Sequence, residues 1–146
     1  MPSILFFFFF LMAVAVLQST GVLKWLASSL DEHVHNVYII DSLLGVLSSI
    51  VDNVPLVAAS MGMYPVADPA ATGYAANFII DGTFWELLSY CAGVGGSIMI
   101  IGSAAGVIAM GLEKISFGWY LRKFSLLALA GYFSGIVVYV IEKLLF

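Results

Sequence analysis

The residues with the clearest chemical potential are Asp52 and Asn53, which stand side by side between two short apolar stretches. A carboxylate inside a membrane is costly unless it pairs with a cation or takes up a proton, so an intramembrane acid is a functional candidate. The amide oxygen of Asn53 is a hard ligand of the kind that small cations prefer. The pair could therefore hold a cation or a proton in alternation. A simple cap and turn is the alternative.

Hydroxyl and carbonyl oxygens could complete such a cation site. Ser48 lies one helical turn before Asp52, and Ser97 and Ser103 flank an apolar stretch farther along the chain. Carbonyl groups at the C-terminal ends of helices also carry partial negative charge. For Ser48, close packing of helices is an equally good explanation. The predicted ion-binding set is Asp52, Asn53, Ser48, Ser97, Gly102 and Ser103.

Other polar residues are weaker candidates. His33 and His35 are two positions apart and do not share a helical face, so a metal site there is not predicted. Asp41 lies near the start of the first apolar stretch, where it could face solvent, and it is left outside the predicted site. No nucleophile–base pair or phosphate-binding loop is recognisable, so neither an enzyme nor a resident cofactor is predicted.

Composition indicates a membrane protein. Of the 146 residues, 62% are apolar and only 10% are charged, whereas a soluble domain usually carries about 25% charged residues. The apolar residues also form long blocks, as expected for helices in contact with a lipid bilayer. No run of basic residues suggests a nucleic-acid partner. We therefore predict an all-α, multi-pass membrane protein forming a single transmembrane domain over residues 1–146.

The two apolar stretches around Asp52 are too short to cross a bilayer singly. A spanning helix needs roughly 20 apolar residues, and the stretches 37–51 and 54–64 fall below that length. Pro55 fits the first turn of a second helix but would break a continuous one. The pattern predicts a re-entrant helical hairpin over residues 37–64. Its polar tip must be buried in protein or line a wet cavity.

A second irregular feature is the glycine-rich stretch within residues 83–112. The stretch is too long for one straight helix, and glycine costs roughly 1 kcal/mol in a helix interior. Gly93, Gly95, Gly96 and Gly102 fall in its middle. A helix unwound at mid-depth is typical of secondary transporters, so we predict a broken transmembrane helix. Close helix packing through small residues is the alternative.

Three further helices complete the prediction. Residues 4–26 and 125–142 are apolar enough to span the membrane, and residues 113–124 suggest an interfacial amphipathic helix. Lys114, Arg122 and Lys123 make that segment the most basic one. Basic loops face the cytoplasm, so the hairpin is expected to open to the outside. In this topology its tip and the glycine break can meet near the membrane centre.

Two motifs resemble a known family. The segment Ser48–Leu56 (SSIVDNVPL) resembles the second hairpin of NhaD-type sodium/proton antiporters, and Gly95–Gly106 (GGSIMIIGSAAG) resembles the unwound helix that follows it. The resemblance covers essentially the whole chain but only the C-terminal repeat of that family. It implies the ion transporter superfamily, in which two inverted repeats each contribute a hairpin and a broken helix. It also implies that Asp52, Asn53, Ser97 and Ser103 occupy the region of the cation site.

The resemblance predicts sodium/proton antiport in the cell's inner (plasma) membrane, with Na⁺ and H⁺ as the transported ions. The corresponding hypothesis is that Asp52 and Asn53 bind the sodium ion. The chain is expected to be a fragment that lacks the N-terminal repeat, and the complete protein is expected to be a homodimer. A related anion or arsenite carrier is one alternative, although its hairpin would tend towards a Ser-Asn-Thr-like tip. A non-transporting scaffold subunit is the other, and it would require straight spanning helices.

Overall fold

The structure is a computed structural model that describes residues 2–146. Within that range the chain is helical, with eight α-helices and one short 3-10 helix. The elements are α1 (Pro2–Ser19), α2 (Val22–His33), α3 (Val37–Leu47), α4 (Asn53–Met63), the 3-10 helix (Gly73–Phe78), α5 (Thr83–Gly95), α6 (Ala104–Leu112), α7 (Phe117–Lys123) and α8 (Ser125–Leu145).

Of the described helices, α8 is the one that is long and apolar enough to cross a membrane. It has 21 residues with a mean hydropathy of 1.7, which gives a length of about 30 Å at 1.5 Å per residue. That length matches the hydrocarbon core of a bilayer. The helix begins where the sequence predicts and extends beyond residue 142 to Leu145.

The N-terminal segment differs from the single helix predicted over residues 4–26. Helix α1 ends at Ser19, and Gly21 adopts a left-handed conformation (φ 78°) before α2 begins. Glycine adopts this conformation without the steric cost that a Cβ atom imposes. The hydroxyls of Ser19 and Thr20 donate to the carbonyls of Val16 and Leu17, which satisfies the end of α1. Local turn chemistry therefore interrupts the apolar run.

Helices α3 and α4 form a helical hairpin. The side chain of Asn36 caps α3 by accepting a hydrogen bond from the Tyr38 N–H, and Pro55 lies in the first turn of α4. The turn between the helices comprises residues 48–52. Apolar side chains from both helices share one core with side chains of α5: Val37, Ile40, Leu44, Leu56, Met63, Phe84, Leu88 and Ala92.

The start of α3 and the end of α4, which are the two ends of this hairpin, lie close together. Asp31, which precedes α3, accepts hydrogen bonds from the hydroxyls of Tyr74 (2.9 Å) and Tyr64 (3.5 Å), and Tyr64 directly follows α4. Burial, followed by the hydrogen bond to Asp31, raises the pKa of Tyr74 above its usual value, so this hydroxyl remains a donor. After the turn at residues 48–52, the chain thus returns to the neighbourhood of the start of α3.

Helix α3 packs closely on α5 through small residues. A methyl group added at Gly95 would overlap the backbone of Gly45, and one added at Gly45 would overlap Cys91 and the hydroxyl of Tyr132. Glycine allows two helix backbones to approach closely in this way. Close packing, which the sequence offered as the alternative role for its glycines, therefore applies to Gly95.

A non-helical segment, residues 96–103, separates α5 from α6. Within it, Ile100 has a left-handed backbone (φ 57°), which is rare for a β-branched residue and costs about 1–3 kcal/mol. Ser103 ends the segment by accepting a hydrogen bond from the Gly106 N–H (3.1 Å), which caps α6. Helix α7 occupies only part of the interfacial segment predicted over residues 113–124.

Helix α8 packs beside the beginning of α5. Glu86 forms an ion pair with Lys143 (2.8 Å) and accepts a hydrogen bond from the hydroxyl of Tyr139 (2.6 Å). The hydroxyl of Tyr132 in the same helix donates to the Ser42 carbonyl of α3 (2.8 Å). The last turns of α8 therefore lie at the level where α5 begins.

Candidate functional site

The turn of the hairpin contacts the segment between α5 and α6. Ser48 is fully buried, and its hydroxyl donates to the carbonyl oxygen of Ala92, in the last turn of α5 (2.7 Å). Ser48 and Ala92 are 44 positions apart in the chain. This buried hydrogen bond fixes the turn of α3–α4 against the C-terminal end of α5.

The side chain of Asn53 strengthens the same contact. Its amide satisfies its neighbours when the nitrogen faces them, at 2.7 Å from the Ser48 hydroxyl, 2.9 Å from the Ala92 carbonyl and 3.3 Å from the Gly102 carbonyl. One amide therefore links the first residue of α4 to the last turn of α5 and to Gly102 in the non-helical segment 96–103. Loss of this amide would remove the contact with the Gly102 carbonyl and leave the Ala92 carbonyl with the Ser48 hydroxyl as its side-chain partner.

Two glycines allow this approach. A methyl group added at Gly102 would overlap the carbonyl oxygen of Ser48 and crowd the backbone of Ser49. At Gly96, an added methyl would lie 2.8 Å from the Asn53 amide. Both glycines are buried. Their hydrogen side chains are therefore a requirement for contact between the turn and the segment 96–103.

Helix ends of both polarities meet at this contact, because α4 begins at Asn53 and the N-terminal end of a helix carries partial positive charge. The C-terminal ends of α3 and α5 both lie at it, and helix C-terminal ends carry roughly half a negative charge each. The carbonyl of Ala92 and the carbonyl of Gly102 face the Asn53 amide. Asp52, the residue before α4, carries a formal negative charge next to Asn53 in the chain. These carbonyl oxygens are of the type that small hard cations select, but in this conformation hydrogen-bond donors of Asn53 and Ser48 occupy them.

Asp52 itself is more accessible than the sequence indicates. It is half-buried, and its Oδ1 accepts a hydrogen bond from the N–H of Asn53 (2.9 Å). This contact caps α4, which was the alternative role for the pair. Within residues 2–146, no hydrogen bond joins the Asp52 carboxylate to α5 or to the segment 96–103. Its carboxylate is therefore not part of the hydrogen-bonded contact itself.

The structure divides the predicted ion-binding residues into two groups. Ser48, Asn53 and Gly102 lie together at the contact. The side chain of Ser97 is exposed, and its carbonyl accepts a hydrogen bond from the hydroxyl of Tyr120 in α7 (2.7 Å). Ser103 caps α6.

Among described contacts, neither the Ser97 nor the Ser103 hydroxyl reaches the Asn53 amide. Pro55, predicted to shape the tip, is buried in the first turn of α4.

Sequence reasoning missed one group at the contact and the burial of one acid outside it. The Ala92 carbonyl is a backbone group, so residue type gives no signal for it. The sequence allowed Asp41 to face solvent, but the residue is fully buried in α3. The signal for Asp41 was present in its spacing, because Asp41, Gly45 and Ser48 recur at the four- and three-residue intervals that mark one helical face.

An open groove begins at the contact. Its volume is about 460 Å³. Asn53 and Ala92 of the contact are among its lining residues, and the lining is mainly apolar. The lining residues are Asn53, Val54, Val57, Ala58, Met61, Ser89, Ala92 and Gly93.

Comparison with known proteins identifies relatives along nearly the whole chain. The sequence is 50% identical to sodium/proton antiporter 2 of Arabidopsis thaliana over 135 residues, which is 92% of this chain and 30% of that protein. It is 33% identical to the Na⁺/H⁺ antiporter NhaD of Halomonas elongata over 139 residues, which is 94% of this chain and 25% of that protein. The NhaD antiporter of Vibrio cholerae is also 33% identical, over 95% of this chain and 26% of its own length.

The chain is homologous to one segment of NhaD-type sodium/proton antiporters. No family model matches the sequence, and no solved structure matches it significantly. The chain spans less than a third of the length of these antiporters. Because the antiporter relatives are membrane proteins and α8 fits a bilayer, the chain is an all-α membrane protein.

Proposed function

We propose that this chain forms part of a sodium/proton antiporter and supplies a portion of its cation site. The observation that carries the proposal is the contact of Ser48 and Asn53 with the carbonyls of Ala92 and Gly102, in a sequence related to antiporters over more than nine-tenths of its length. The other segments of the complete protein would supply the second inverted repeat. A homodimer is the expected assembly.

In this proposal the hairpin of α3 and α4 is re-entrant. Helix α3 has 11 residues, so it reaches about 16 Å into the membrane at 1.5 Å per residue. This depth is roughly half of the 30 Å hydrocarbon core. Helices α5 and α6 would then be the two halves of one broken transmembrane helix. Their interruption and the hairpin tip would meet near the midplane, where irregular backbone must be covered by protein or water.

Charged residues favour one orientation. Lys114, Arg122 and Lys123 are exposed around α7 and would face the cytoplasm. Helix α8 would then run outwards, which places the Glu86–Lys143 ion pair and the base of the hairpin on the outer side. The protein would be a multi-pass component of the cell's inner (plasma) membrane.

Exchange would follow from competition for one carboxylate. Sodium would bind the Asp52 carboxylate. The Asn53 amide oxygen and the Ala92 and Gly102 carbonyls would join it once the amide nitrogen has turned away from these carbonyls, and Ser97 and Ser103 would contribute only after rearrangement of the segment 96–103. A proton on Asp52 would remove the charge that holds the sodium ion. The site would therefore carry one ion or the other, which is the requirement for coupled movement in opposite directions.

The positions of the basic side chains are less compatible with an anion carrier. All five Lys and Arg side chains in the sequence are exposed in the structure. Those at residues 114, 122 and 123 cluster around α7, and Lys143 pairs with Glu86. An anion would need a cationic partner at the hairpin tip.

Sodium-induced proton movement tests the proposed function. The complete antiporter is expressed in everted vesicles, a respiratory proton gradient is formed, and a pH-sensitive dye reports its collapse. Addition of NaCl should dequench the dye, whereas choline chloride should not. Absence of any sodium response across alkaline pH, with the protein present at a normal level, would rule out antiport.

A further inference from the structure

Asp41 is a buried acid that the proposed cation site does not use. Its side chain is fully enclosed in α3, and neither carboxylate oxygen has a hydrogen-bond partner among the described residues. Ser48 and Ser60, which are equally buried in the same hairpin, both have partners. The isolation of Asp41 is therefore unusual within its own helical pair, because buried polar groups are almost always hydrogen-bonded.

No cation lies near this carboxyl group in the part of the chain that the structure describes. The titratable side chains close enough to interact with it electrostatically are Tyr64 after α4, Tyr74 in the 3-10 helix, Cys91 in α5 and Tyr132 in α8. None of these groups is positively charged in any protonation state. A buried carboxylate without a cation is strongly disfavoured by the loss of its hydration, whereas the neutral acid avoids most of that penalty.

The position of Asp41 connects it to the candidate site. Asp41, Gly45 and Ser48 follow one face of α3, and this face packs on α5. Asp41 lies about 10 Å from Ser48 along the helix axis, since each residue adds 1.5 Å. The carboxyl group is thus two turns from the hairpin tip, towards the end of α3 that the proposed orientation places outside.

We propose that Asp41 is a second proton-binding site, occupied by a proton in the conformation described here. Its carboxylate oxygen takes up H⁺ to form the neutral acid when α3 and α5 are packed. The proton leaves when separation of these helices admits water or sodium. The coupling of Asp41 to exchange rests on the proposed antiport function, whereas its protonation does not.

Infrared difference spectroscopy on the reconstituted complete antiporter tests this proposal. Wild-type protein at neutral pH should show a protonated carboxyl C=O band. Asp41→Asn, which is nearly isosteric with the neutral acid, should lose that band, while the exposed-site control Asp68→Asn should keep it. Asp41→Glu should restore a carboxyl band at a shifted frequency, which guards against loss of the band through misfolding of the Asn variant.

Sodium provides the second arm of the experiment. Addition of NaCl to wild-type protein should diminish the Asp41 band, because proton release accompanies exchange. A band that persists unchanged in Asp41→Asn would overturn the assignment. A band that Asp41→Asn removes but sodium does not alter would overturn the link to exchange. The dye assay on the same wild-type vesicles reports separately whether antiport itself occurs.

Discussion

Asp52→Asn is expected to abolish sodium/proton exchange in the complete antiporter. The substitution removes the negative charge and the proton-binding group while retaining a side chain that caps α4 well. Because Asp52 is half-buried, loss of its charge should lower sodium affinity by at least about tenfold, which corresponds to about 1.4 kcal/mol. The fold should persist because the new side chain preserves the hydrogen bond to the N–H of Asn53.

Asp68→Asn is the matched control, since Asp68 is exposed and lies in the loop after the hairpin. Both variants would be compared by sodium-induced dye dequenching at equal protein levels. The control should retain nearly wild-type exchange. Equal exchange in the two variants would remove Asp52 from the mechanism.

Gly102→Ala is expected to reduce exchange severely through geometry rather than charge. The added methyl group would overlap the Ser48 carbonyl and force the hairpin tip away from the segment 96–103. Overpacking of this kind costs about 1–3 kcal/mol in stability. A displacement of about 1 Å at a functional site can cost roughly a hundredfold in rate, and we expect a loss of that order.

Gly111→Ala provides the comparison, because an added methyl group at this α6 position meets no heavy atom within 4 Å. Thermal unfolding in detergent and sodium-dependent exchange should both be measured. Gly102→Ala should lower the unfolding midpoint and the exchange rate, and Gly111→Ala should lower neither. Wild-type exchange by Gly102→Ala would show that close approach of the tip is dispensable.

Local chemistry made much of this fold predictable. Short apolar arms around Asp52 and Pro55 predicted two short helices and a turn, because neither arm is long enough to span a bilayer. The glycines between residues 93 and 106 predicted an interruption of the following helix. Sequence spacing alone also placed Ser48 at the turn. These predictions rest on interactions within a few residues, which a sequence displays directly.

Long-range packing was the part that could not be predicted. Burial of Asp41 depends on which face of α3 meets α5, and that register is fixed by the contact of Gly45 with Gly95. The Ala92 carbonyl accepts a hydrogen bond from Ser48 because the C-terminal ends of α3 and α5 lie side by side. The break at Gly21 was missed because apolar sequence resumes at Val22 after the short polar stretch Gln18–Thr20, which predicts one retained span.

Cysteine accessibility tests the central claim, that the α3–α4 hairpin enters and leaves the membrane on one side. Single cysteines would replace Glu32, Asp68 and Lys123, all exposed positions, in a complete antiporter that lacks other reactive cysteines. A membrane-impermeant maleimide would then be applied to intact cells and to everted vesicles. The account predicts that positions 32 and 68 react together from the outside and position 123 only from the inside. Reaction of positions 32 and 68 from opposite sides would contradict it.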